Sequence, residues 1–228
     1  MLKHFPYLPT GANLHRESPD TKVPLEEAER RFSVFRDLAA NADMIMTTHL
    51  LDSSVDGSLV TFSPAWNALL RAGTGFTGPL VSDGLLMLKN YSDRSAFAGG
   101  VPPADFAGLD EAAAWAARAI LAGHDLVIVE GSAVQTVRVF DGLLTAACRS
   151  STRARELRVR IEESSARIAR WKQDRETALR RAVEVSPYVI QQVIALLPPD
   201  GADLAAFHFD AAGLAALLPS LETCELPR

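Results

Sequence analysis

Three short apolar runs in this 228-residue chain end in groups that can do chemistry. Pro79-Leu-Val-Ser82 is followed by Asp83, Asp125-Leu-Val-Ile-Val129 by Glu130, and the run from Asp43 ends in Thr47, Thr48 and His49. Such positions are where parallel α/β folds keep their chemistry, beyond the carboxyl ends of the strands. A carboxylate held rigidly there, ionised at neutral pH, can attack an electrophilic carbon and form an ester that water later releases. The competing roles are plainer: Asp83 capping a helix that starts near Leu85, and Glu130 serving as a strand-end turn residue. His4, His15 and His49 with Asp83 could also ligate zinc, although the chain has no His-x-His pair.

The runs alternate with helical stretches. Pro24 to Ala40 places Leu25, Ala28, Phe32, Phe35 and Leu38 at intervals of three or four residues opposite a charged face. Pro64 to Ala72 predicts a second helix, leading through Gly73-Thr-Gly-Phe-Thr-Gly78 into the second run, and Leu109 to Ala122 a third, leading through Gly123-His124 into the last. Short β runs alternating with longer helices predict βαβ units around a parallel sheet. From Arg153 to Arg181 a long helix is expected, with Leu157, Ile161, Ile168 and Trp171 on one stripe and arginines over the rest as a solvated face. Two further helices are expected on either side of Pro198-Pro-Asp-Gly201.

Apolar residues make up 48% and charged residues 22%, with a formal net charge of −5. These values fit a globular protein and offer no general attraction to nucleic acid or an anionic membrane. Cys148 and Cys224 are too few for a disulfide framework or a cysteine-rich zinc site. No apolar run approaches the roughly 20 residues of a membrane helix, and the opening lacks a signal-peptide pattern, so a cytoplasmic location is the expectation. Redox and nucleotide-dependent functions find no support, and no cofactor or metal is expected.

Two segments carry a resemblance. Lys3-His4-Phe5-Pro6 resembles the start of the Lys-His-Phe-Pro-Gly-His-Gly signature of bacterial β-N-acetylhexosaminidases of glycoside hydrolase family 3. Pro79-Leu-Val-Ser-Asp-Gly-Leu-Leu-Met87 resembles that family's strand-end motif, a hydrophobic run followed by Ser-Asp-Asp-Leu and a methionine. Between them, Asp43-Met-Ile-Met-Thr-Thr-His-Leu50 is similar to the family's Val-Met-Thr-Ala-His strand, and Gly123-His-Asp-Leu-Val-Ile-Val129 to its last strand. The similarity covers roughly residues 2 to 175, in order.

The resemblance implies a retaining exo-acting glycosidase for β-linked N-acetylglucosamine, as in cell-wall turnover, with Asp83 as the nucleophile. It makes His15 the counterpart of the family's histidine acid/base, and Lys3, His4 and His49 contacts to sugar hydroxyls, with a solvated N-terminus the alternative for Lys3 and His4 and a structural hydrogen bond the alternative for His49. Two departures follow. Asn13 stands where an aspartate should pair with that histidine, and a neutral amide cannot stabilise an imidazolium as a carboxylate does. Tyr7, Leu8 and Pro9 replace loop glycines, which should stiffen a loop that swings over substrate in relatives. Weak or absent turnover is the expectation.

The implied fold is α/β: a partial (β/α)8 barrel, approximately strands 5 to 8, over residues 1–182, with a helical extension at 183–228. A whole barrel takes eight strands, and the chain offers three convincing ones and a stub at Lys3. The front half would come from a longer polypeptide, from a separate chain or from a second copy covering the open edge, unless the protein is a degenerate descendant. Two rival readings remain: a non-catalytic carbohydrate-binding or interaction protein on the same scaffold, and a metal-dependent barrel hydrolase.

Overall fold

The computed structural model describes residues 1–8, 13, 20–91, 97 and 103–185. Four strands, β1 (Leu2–Phe5), β2 (Ile45–Thr47), β3 (Leu80–Gly84) and β4 (Leu126–Ile128), form one parallel sheet in that order. Helices α1 (Leu25–Ala39), α2 (Pro64–Thr74) and α3 (Glu111–Ala122) connect them, and α4 (Ala133–Cys148) and α5 (Thr152–Val185) follow β4. Each strand pairs with its chain neighbour, Ile45 opposite both Leu2 and Leu80, and Leu126 opposite Val81. That order has no reversal. Such an order is consistent with a βα barrel, whereas a doubly wound sheet reverses at its switch point.

The helix ends follow from local chemistry. Ser63 accepts the Trp66 N–H at 3.0 Å to start α2, Pro64 fills its first turn, and Gly75 ends it at φ 67°. Asp110 accepts the Ala112 N–H at 3.0 Å to start α3. Phe5 sits at the centre of one core region, with Phe32, Phe35 and Trp66 each edge-on to its ring. A second region gathers Phe62, Leu85, Leu88, Phe97 and Trp115 beneath the end of β3. It also holds the guanidinium of Arg118, over the Phe62 ring at 3.9 Å. Burial pushes this group down to about 10, so it stays charged at neutral pH.

Several expectations change. The stub at Lys3 is a strand, because β2 supplies its partners: Leu2 N–H donates to Met44 O and Thr48 N–H to Phe5 O, both at 2.9 Å. Helix α4 was not anticipated. It carries β-branched residues and Gly142, which weaken a helical signature, yet Ser132 and Gln135 form a capping box. Gly142 lies directly against the Ala113 side chain, so that α3 and α4 approach closely. The turn Gly73-Thr-Gly-Phe-Thr-Gly78 has Gly-x-Gly-x-x-Gly spacing but leads from a helix into a strand, the reverse of a dinucleotide-binding turn.

The arginines of α5 are not all a solvated face. Arg160 and Arg167 converge with Arg71 on the buried carboxylate of Asp125, which also accepts the Ser164 hydroxyl at 2.9 Å and the Leu80 N–H at 2.9 Å. One aspartate at the start of β4 thereby ties α2, β3 and α5 together. Cys148 is disulfide-bonded, which its sequence context did not suggest. Helix α5 runs unbroken past residue 182, and the expected helices of the tail lie outside the described residues. Among the described residues, no helix is long and apolar enough to cross a membrane.

Candidate active site

The carboxyl ends of β1 and β3 bring His4 and Asp83 together. His4 Nε2 stands 3.9 Å from Asp83 Oδ2, and each side chain keeps 22% of its exposure, enough for a ligand to reach. The other oxygen, Oδ1, accepts the N–H of Gly84 at 2.8 Å. Gly84, not Asp83, is the residue that caps the following 3-10 turn over Leu85–Asn90, and no side chain caps it. Burial lowers the His4 pKa; Asp83 opposes that fall and Lys3 adds to it. His4 is therefore a neutral imidazole at pH 7, a hydrogen-bonding group beside an open carboxylate. Lys3 is exposed.

Of the two roles open to His49, a sugar contact and a structural hydrogen bond, the geometry is that of the second. It is fully buried, Nε2–H donating to Gly84 O at 2.8 Å and Nδ1 accepting from the Thr61 hydroxyl at 2.6 Å. Burial lowers its pKa and keeps it neutral. With both nitrogens engaged inside the protein, it stands behind the Asp83 turn, because the hydroxyl and carbonyl it satisfies have no water to turn to.

Glu130, read as a turn residue, accepts the N–H of Leu86 at 2.9 Å across the strand ends. Tyr91, which no motif marked, is buried with its phenol pushed up by burial and by Asp83. Ser82 is buried, its Oγ accepting the Ile128 N–H at 3.1 Å and locking β3 to β4 one residue before Asp83.

The loop after β1 is anchored at its base. Tyr7 is buried, its hydroxyl donating to the buried carboxylate of Asp52 and lying 2.8 Å from Thr21 Oγ1. Asp20 accepts the Ser53 N–H at 3.0 Å and the Ser53 hydroxyl at 2.8 Å. Both flanks of the loop are thus fastened to residues 51–53. Asn13 is exposed, and His15 lies outside the described residues. Among the described residues, no group of three or more His, Cys, Asp or Glu is arranged to hold a metal ion. A cavity of about 440 Å³ opens at the other end of the sheet, lined by Asp43, Phe76, Trp171 and Asp174 among others, and contains none of these site residues.

The sheet is parallel and singly wound, with a histidine at the end of β1 and a reachable carboxylate at the end of β3, β2 lying between them. Residues 1–170 match the glycosyl hydrolase family 3 N-terminal domain, and the chain belongs to that family. The fold is similar to a family 3 β-N-acetylglucosaminidase from Paenibacillus sp. str. FPU-7, at TM-score 0.53 and 29% identity over 76% of this chain and 29% of that one. LpqI of M tuberculosis is similar at TM-score 0.58 and 27% identity, over 75% of this chain and 46% of that one. CbsA of Thermotoga neapolitana shares the fold at TM-score 0.57 and 19% identity, over 74% and 35%. The chain spans less than half the length of each of these proteins.

Proposed function

We propose that this chain forms strands 5 to 8 of a (β/α)8 barrel and supplies the nucleophile of a retaining exo-β-N-acetylglucosaminidase, Asp83. The observation that carries the reading is the Asp83 carboxylate itself: at a strand end, reachable from solvent, with one oxygen held by a backbone N–H and the other toward a neutral histidine. Membership of family 3 and the named activity of the Paenibacillus relative support the substrate class.

In the first step Asp83 attacks the anomeric carbon as the bond to the leaving oxygen breaks, and that oxygen takes a proton from the acid/base. Water then attacks the glycosyl ester, losing its proton to the same base and freeing Asp83. Lys3 and His4 orient sugar hydroxyls; a neutral His4 can donate from one nitrogen and accept at the other. His15 is the acid/base, and Asn13, two residues earlier in the sequence, is a neutral amide that cannot supply the charge an aspartate there would. The opposite wall of the barrel, and any grip on the sugar's non-reducing end, comes from a front half on the same polypeptide, a partner chain or a second copy.

In an assembly with that front half, Asp83→Asn is expected to cut turnover of an aryl N-acetyl-β-glucosaminide by at least about a thousandfold; unchanged turnover sinks the assignment. A second reading, sugar binding without hydrolysis, is favoured by Asn13 and by the clasp on Tyr7. It predicts saturable binding of N-acetylglucosamine with no turnover in either wild type or variant.

A further inference from the structure

We infer that Glu130, at the end of β4, is a positioning residue for the Asp83 turn, working with Gly84 and opposite His49. The inference rests on Asp83 being the nucleophile.

The backbone at Gly84 has φ −60° and ψ 111°, a conformation any residue adopts. Conformational freedom therefore does not require glycine there. Space does: a Cβ at this position would overlap the carboxylate of Glu130. Glu130 lies flat on the Gly84 Cα while its Oε2 accepts the Leu86 N–H at 2.9 Å. From the other side, His49 Nε2–H holds the Gly84 carbonyl at 2.8 Å, and the Gly84 N–H is taken by Asp83 Oδ1 at 2.8 Å.

The residue after the nucleophile is thus gripped by side chains from just beyond the ends of β2 and β4, the strands on either side. With its own side chain bonded to this gripped unit, Asp83 has little freedom to turn, and its Oδ2 stays aimed toward His4. Ionised carboxylates make strong acceptors for backbone N–H groups. Carboxylate misplacement of about 1 Å costs on the order of a hundredfold in rate, so a grip of this kind is worth its space.

His4 reports the geometry without requiring turnover. Its titration is governed by its burial, by Asp83 and by Lys3, so a change at Glu130 reaches it by moving Asp83. NMR titration of His4 in the ring-labelled protein, assigned with a His4→Gln variant, tests the inference. Asp83→Asn should lower the His4 midpoint, since it removes the charge that raises it.

Glu130→Ala and Gly84→Ala should each shift that midpoint by several tenths of a pH unit. In Gly84→Ala the new methyl evicts the carboxylate. The double variant should shift no further than either single one, because both break one contact. Glu130→Gln, which keeps an acceptor for Leu86, should stay near wild type.

Additive shifts in the double variant, or equal shifts for Glu130→Gln and Glu130→Ala, would overturn the inference. So would wild-type behaviour in Gly84→Ala and Glu130→Ala alongside a shifted Asp83→Asn. Should Glu130→Ala not fold, Gly84→Ala against Glu130→Gln carries the same contrast. Failure of Asp83 as a nucleophile would show in turnover and leave these shifts intact, so the two ideas fail separately.

Discussion

Asp83 and Asp125 lie on adjacent strands at opposite ends of the sheet, and their surroundings could hardly differ more. At the amino end, Asp125 is buried with three arginines, a serine and a backbone N–H around it. At the carboxyl end, Asp83 keeps about a fifth of its side-chain exposure, accepts the N–H of its neighbour Gly84 and faces a neutral histidine. The same residue type serves cohesion where its lone pairs are fully engaged, and under the proposed function serves chemistry where one oxygen is left open to solvent. That division is the one βα barrels show between their two ends.

The sharpest way to break the comparison is to exchange charge for neutrality at both ends. Asp125→Ala leaves three arginine side chains around an empty space, and should cost about 3–5 kcal/mol of unfolding free energy. Asp83→Asn should cost less than about 1 kcal/mol, since its site is open to water. Urea denaturation of the two variants checks this, and similar losses would erase the distinction.

Acid sharpens it next. His124, beside Asp125, is buried between the Thr47 hydroxyl at 2.8 Å and the Ala119 carbonyl at 3.0 Å, and burial lowers its pKa to about 4. The unfolded chain takes up this proton near pH 6.5 and the folded chain only near pH 4. Within that window the unfolded state binds more protons, so stability is full above pH 6.5 and falls as pH drops, by on the order of 3 kcal/mol. Buried His49 acts with the same sign. In His124→Asn, whose amide can still donate to Ala119, the acid loss measured by denaturation at pH 7 and pH 4.5 should shrink; an unchanged loss would move its origin elsewhere.

A smaller effect lies at the base of the loop. Tyr7→Phe removes the hydroxyl from buried Asp52 and should cost roughly 1–2 kcal/mol in the same assay. Smallest of all, Asn13→Asp should raise aryl N-acetylglucosaminide hydrolysis about a few-fold in the completed assembly, well below a full acid–base contribution because it adds only a counter-charge to the base. An unchanged or lower rate in a folded variant would count against the His15 pairing.

The alternation of helix and strand was legible because periodicity is a local signal, and helices α1, α2, α3 and α5 fall within a few residues of their expected bounds. Asp83 was legible as a strand-end carboxylate inside a recognisable motif. What stayed hidden depends on partners far along the chain. Asp125 meets Arg167 across 42 residues and Glu130 meets Leu86 across 44, and nothing near either carboxylate announces the pairing. Gly84 stands where the family motif has its second aspartate, and the carboxylate packed against it comes from beyond the next strand, at Glu130. For His49 a sugar contact and a structural hydrogen bond both stayed open, because its position in a motif says nothing of burial. Tyr7 was expected to stiffen its loop, and the partner of its hydroxyl, Asp52, could not be named from spacing.

The most direct measurement is covalent trapping. The chain, completed by its front half, is incubated with an activated 2-fluoroglycosyl substrate and mapped by peptide mass spectrometry. The account predicts a glycosyl adduct on the peptide containing Asp83, absent in Asp83→Asn. An adduct on another carboxylate, or none in an assembly that turns over substrate, would contradict it.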